Sequence, residues 1–191
     1  MCPGFAGRLE PSALHRRRWS VDELAGWARA ARDGDPVAVA ALVRATQGEV
    51  HRLCAHLVDA PSADDLAQET YLRALRALPS YQARAPFRPW LLTIARRTCM
   101  DALRRRSRTR RLLTRLQGGL SDTLPDASGQ VAGSDLLSRL EPDRRAAFVL
   151  TQLLGVSYAE AAIICDVPVG TIRSRVARAR EELREHVSRS A

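Results

Sequence analysis

The 191-residue sequence contains no lysine, few aromatic residues and no apolar run approaching the length of a membrane span. Without lysine, all 30 basic residues are arginine. Arginine offers a planar fork of donors that suits phosphate and guanine edges. A GC-rich genome would give the same residue choice, and composition does not separate the two causes. The net charge of +9 is a separate matter, and it points to a polyanionic partner. With Trp 3, Tyr 3 and Phe 3, the core must be built largely from Leu, Ala, Val and Ile. The four cysteines, Cys2, Cys54, Cys99 and Cys165, form no CxxC pair. His15, His51, His56 and His186 do not join them at metal-ligand spacing, which argues against a zinc site or a disulfide framework. Buried reduced thiols are expected instead, with no cofactor. Apolar runs fall well short of the ~18–20 residues a span requires, so no membrane insertion is expected. Residues 1–19 carry His15-Arg16-Arg17-Arg18 after a weak apolar stretch, the reverse of signal-peptide order. They are read as a disordered basic tail on a cytoplasmic protein. No Gly-rich phosphate loop and no Ser/His/Asp or Cys/His grouping suggests an enzyme.

What is present is helical. No segment alternates with period 2, so no sheet is expected. Ser20 and Glu23 have capping-box spacing for a helix ending near Arg32, before Gly34. Asp35-Pro36 restarts a helix with Val39, Leu42, Val43, Val50, Leu53 and Leu57 on one stripe. Ser62 is expected to cap a third helix to about Leu78, with Leu66, Tyr71, Leu72 and Leu75 on its buried side. Pro89 and Trp90 are expected to open a fourth, apolar at first and then basic. Between Arg88 and Arg111 there are nine arginines and one acid, Asp101. Gly, Ser, Asp and Pro dominate from about Gln117 to Ser134, the composition of a tether.

Helical patterning resumes at Asp135. Ser157 and Glu160 form a second capping box, Cys165-Asp166-Val167 a tight turn, and a last helix starts near Pro168. This is the length and turn placement of a helix-turn-helix. Ile172, Val176 and Ala179 would hold the last helix to the core. Arg173, Arg175, Arg178 and Arg180 follow with no acid among them. The alternative is an ordinary solvated helix face, but the footprint favours DNA. The chain is thus all-α, with two helical domains: a tail at 1–19, a bundle at 20–112, a flexible linker at 113–134, a helix-turn-helix domain at 135–187 and a tail at 188–191.

Four stretches resemble a known family, in family order. Asp64-Asp65-Leu66-Ala67-Gln68-Glu69-Thr70-Tyr71-Leu72-Arg73-Ala74 resembles the DAEDLVQETFLRAW stretch of σ70 region 2. Phe87 to Arg97 resembles FRTWLYRIARN, and Asp101 to Arg106 resembles DELRRR. Pro168 to Arg175 resembles the PVGTVKSR of region 4. The chain is similar to the extracytoplasmic-function (ECF) σ factors, and its closing stretch to the actinobacterial σC group.

The resemblance implies a non-catalytic subunit that brings core RNA polymerase to promoters. Asp65, Gln68 and Glu69 would dock on the β′ clamp coiled coil. Asp65 as a helix cap and Glu69 paired with Arg73 at i+4 is the structural alternative. Ala83, Arg84, Phe87, Arg88, Arg96, Arg97, Asp101 and Arg104 would meet the −10 element. Ala83 stands where the family commonly has Gly, and Arg97 where it often has Asn. Trp90 is read as core rather than as a stacking platform. Thr171, Arg173, Ser174, Arg175, Ala177 and Arg178 would meet the −35 element, while the second domain binds the β flap. An anti-σ factor is a further partner class, and packing of the two domains on each other is an alternative control. A stand-alone regulator with a ligand-sensing bundle competes with this reading, but it would not need the Asp65-Gln68-Glu69 motif.

Overall fold

The computed structural model describes residues 19–83, 86–116 and 136–190. The expected N-terminal tail, most of the expected linker and Arg84 lie outside them. Seven α-helices are described: α1 (Val21–Arg32), α2 (Pro36–Leu57), α3 (Ala63–Ala77), α4 (Phe87–Leu116), α5 (Pro142–Phe148), α6 (Tyr158–Cys165) and α7 (Val169–Ser190). A 3₁₀ turn (Leu78–Ser80) follows α3, and a π-helical turn (Val149–Leu153) follows α5. No strand occurs among the described residues.

The helix starts follow from local chemistry. The Ser20 hydroxyl accepts the Glu23 N–H at 3.1 Å, and the Glu23 carboxylate accepts the Ser20 N–H at 2.8 Å. Asp35 accepts the Val37 N–H at 2.8 Å, with Pro36 in the first turn. Gly34, at φ +97°, makes the reversal between α1 and α2. Ser157 and Glu160 repeat the reciprocal box at α6, and Asp166 adopts φ 55° at its end.

Three expectations are corrected. Ser62 makes no side-chain cap; its hydroxyl instead accepts from Arg106 at 2.6 Å, and its N–H donates to Asp59 at 2.8 Å. Asp59 pairs with the same Arg106, so a charge-assisted network takes the serine that a cap would have used. Leu72 and Leu75 are 51% and 41% exposed, because Leu66, Thr70 and Ala74, four residues apart, already form the buried side of α3. Finally, α4 begins at Phe87, not at Pro89, and continues past 112 to Leu116. Pro89 then lies in the first turn, where its missing N–H breaks no intrahelical bond.

Helices α1–α4 pack around Leu24, Leu42, Val50, Leu53, Leu57, Leu91 and Leu92. Helices α5–α7 pack around Leu150, Ile164, Ile172, Val176 and Ala179, the last three as the periodicity of α7 and its neighbour demands. The two units also pack on each other: α4 lies against α6, and α2 against α5 and the π-helical turn. Arg145, buried on α5, crosses this boundary. Its guanidinium donates to Leu57 O at the end of α2 (2.8 Å), and to Ser138 O (2.6 Å) and Leu140 O (3.1 Å). Burial pushes its pKa down, with Glu141 opposing, yet arginine stays charged. A cation buried on carbonyls alone ties α5 to the negative end of α2.

Candidate nucleic-acid interface

The outer side of α3 presents Asp65, Gln68, Leu72 and Leu75, all exposed and all on one stripe. Glu69, beside them, pairs with Arg73 at 2.7 Å. Arg73 reaches on to Asp101 on α4 at 3.0 Å, and Asp101 holds Arg104 at 3.0 Å. The Arg104 and Arg73 hydrogen bonds hold the Asp101 carboxyl below its ordinary range. The two leucines were missed in the sequence because they match the helical period of a buried stripe.

Three aromatic rings cluster at the start of α4. Tyr81 lies 4.9 Å from Trp90 and 6.0 Å from Phe87, and Phe87 lies 5.4 Å from Trp90. Tyr81 and Phe87 are buried, so Phe87 packs inward on Tyr81 and Trp90 rather than facing solvent. Trp90 packs against the same core, as expected. Two aromatics flanking a loop in an aromatic-poor chain were the available signal for Tyr81. Ala83 is exposed at φ 54°, a left-handed conformation that favours glycine.

The expected −10 arginines divide. Arg97 and Arg104 are exposed. Arg88 pairs with Glu49 at 2.5 Å and reaches Leu154 O at 3.3 Å across the unit boundary. Arg96 pairs with Asp143 of α5 at 2.7 Å.

On α7, Arg173, Ser174, Ala177 and Arg178 are exposed and Thr171 is half-buried. Ser174 donates to Thr171 O at 3.0 Å. Arg175 turns inward and pairs with the second oxygen of Asp143 at 3.0 Å. One carboxylate therefore serves two arginines, one from each unit. Among the described residues Arg96 Nε and Arg175 Nη1 are buried without a hydrogen-bond partner. A cleft of about 390 Å³ opens beside it, lined by Arg96, Arg97, Arg104, Glu141 and Asp143 among others.

Cys54 and Cys99 touch in the core at 3.6 Å, and Cys165 is also buried. Burial pushes the Cys165 thiol up. Among the described residues no three His, Cys, Asp or Glu side chains converge on a point that could hold a metal. No described helix is long and apolar enough to cross a membrane.

Two family descriptions match this arrangement. "Sigma-70 region 2" covers residues 42–109, the α2–α4 bundle, and "Sigma-70, region 4" covers residues 134–183, the helix-turn-helix unit. The "ECF RNA polymerase sigma factor SigC" of Mycobacterium tuberculosis is 46% identical over 164 residues, covering 82% of this chain and 86% of that protein. The chain belongs to the ECF RNA polymerase σ factors. The "Probable RNA polymerase sigma-C factor" of Mycobacterium bovis matches at the same identity and coverage. Among solved structures, CnrH in complex with the cytosolic domain of CnrY is similar at a TM-score of 0.69 and 25% identity, covering 90% of this chain and 100% of that one. RpoE of Bartonella quintana, in complex with the anti-sigma factor NepR, is similar at a TM-score of 0.62 and 28% identity, covering 76% and 94%. This σ factor binds core RNA polymerase, directs it to promoters and promotes the initiation of transcription.

Proposed function

We propose that this σ factor is of the σC group and works without catalysis of its own, in the cytoplasm beside polymerase and chromosome. Residues 20–112 form its σ2 domain, 135–187 its σ4 domain and 113–134 the linker. The α3 stripe of Asp65, Gln68 and Glu69 docks on the β′ clamp coiled coil, with Leu72 and Leu75 adding apolar contact. The −10 element meets Arg97, Asp101 and Arg104 on α4 and the loop at Ala83 and Arg84; Arg88 and Arg96 join once freed, and Phe87 sets the loop from behind. The −35 element meets Thr171, Arg173, Ser174, Ala177 and Arg178, joined by Arg175 once it is freed from Asp143, and the σ4 domain binds the β flap. An anti-σ protein is a partner class for this chain, on the precedent of RpoE with NepR.

The observation that carries the docking assignment is the exposed stripe on α3, where two leucines stand in solvent beside Gln68 and Asp65. Exposed apolar groups rimmed by polar ones mark interaction surfaces. In transcription reconstituted with core polymerase, Gln68→Ala/Glu69→Ala should lose about tenfold or more in core affinity, ~1.4 kcal/mol, with promoter-dependent transcript falling in step. Unchanged core affinity would sink the assignment.

A further inference from the structure

Arg73 stands between the two working surfaces of the σ2 unit. Its Nε donates to Glu69 on the α3 docking stripe at 2.7 Å, and its Nη1 donates to Asp101 on α4 at 3.0 Å. Asp101 uses its other oxygen to hold Arg104, also at 3.0 Å. The chain Glu69–Arg73–Asp101–Arg104 thus runs unbroken from the face assigned to polymerase to the face assigned to DNA. A planar guanidinium, with donors on Nε and on both Nη atoms, can serve two carboxylates on two helices at fixed geometry. Arg73 is hydrogen-bonded to both Glu69 and Asp101, so it links the two carboxylates.

We propose that Arg73 is a positioning residue that couples polymerase docking at Glu69 to promoter reading at Asp101 and Arg104. The inference rests on the docking and −10 assignments above. When a cationic group of the polymerase takes Glu69, Arg73 loses one of its two carboxylates and turns fully to Asp101. Asp101 then holds Arg104 less strongly, and Arg104 is free to meet a phosphate of the −10 strand. The DNA contact is therefore completed on docking rather than before it. A structural tie between α3 and α4 would stiffen the bundle equally with or without polymerase. A relay makes the two ends non-additive, and that distinguishes it.

The test is a double-mutant cycle on the σ factor free of core polymerase, where Glu69 still holds Arg73. Glu69→Gln, Asp101→Asn and the double variant are compared for binding to a fork-junction DNA carrying the −10 element. With Arg73 present, the double variant should depart from the product of the single effects by about threefold or more, the scale of coupling between contacting residues. In an Arg73→Gln background that departure should vanish. Should Arg73→Gln fail to fold by thermal melting, Arg73→Lys replaces it, since an ammonium keeps the charge but lacks the fork. Additive effects in the Arg73 background, or coupling that survives the Arg73 substitution, overturn the relay. Core affinity of Glu69→Gln, measured in the same series, separates the failures: unchanged affinity removes the docking reading and this inference with it. Weakened affinity with additive DNA effects overturns the relay alone.

Discussion

Helices α4 and α7 are both arginine-rich, and the fold treats them differently. Of the described arginines assigned to the −10 element, all on α4, Arg88 is committed to Glu49, Arg96 to Asp143 and Arg104 to Asp101, leaving Arg97 exposed with no ion pair among the described residues. On α7, Arg173 and Arg178 are exposed and likewise make no ion pair among the described residues, and Arg175 is the arginine turned inward. The packed arrangement therefore leaves the assigned −35 arginines largely ready and the assigned −10 arginines largely occupied, while Arg105, Arg108, Arg110 and Arg111 further along α4 stay exposed. Charge alone does not make a DNA-reading surface. What matters is which guanidinium groups can leave their carboxylates, since an ion pair must be given up before a phosphate is gained. Asp143 is the hinge of the comparison because it holds one arginine from each helix.

Three substitutions test how deep that difference goes. Arg178→Ala should have the largest effect, weakening −35 duplex binding by roughly 1–3 kcal/mol if it contacts a base. Competition among −35 sequence variants measures it, and an unchanged preference profile would remove Arg178 from base reading. Asp143→Ala should come next. Freed from the carboxylate, Arg96 should raise binding of single-stranded −10 DNA by the isolated σ factor about three- to tenfold, steepening the salt slope by roughly 0.7 per added phosphate contact. Binding to −35 duplex should rise less, by about twofold, because Arg173 and Arg178 are already available and Arg175 alone is released there. An equal gain at both elements would break the comparison. Ala83→Gly should have the smallest effect. It should stabilise the folded state by about 1 kcal/mol, since a non-glycine residue in the left-handed region costs roughly 1–2 kcal/mol and glycine gives part of that back in chain entropy. Urea unfolding checks the sign, and a loss of stability would contradict the left-handed geometry.

Much of this molecule was legible as text because local rules dominate in helices. The boxes at Ser20/Glu23 and Ser157/Glu160 and the Asp35-Pro36 start each depend on residues within three positions, and each formed as read. The burial of Ile172, Val176 and Ala179 followed from the 3.6 period. Local reading failed where a distant residue competed. Ser62 gave its hydroxyl to Arg106, 44 positions away, and not to its own helix. Leu72 and Leu75 carried an apolar period that the bundle had no partner to cover. Phe87 lies within a family motif, but its ring went to Tyr81 and Trp90.

The sequence by itself determined an all-helical chain with a bundle and a helix-turn-helix, a strongly basic balance and the motifs that point to σ factors. Those properties are set by composition and by spacing within a few turns. Tertiary structure alone decided which arginines are available. Arg96 and Arg175 are 79 positions apart in the chain, read simply as two members of basic runs, and meet on the two oxygens of Asp143. No periodicity encodes that meeting. It arises because the two units pack face to face, and an ion pair between residues remote in sequence exists only once both helices have been placed.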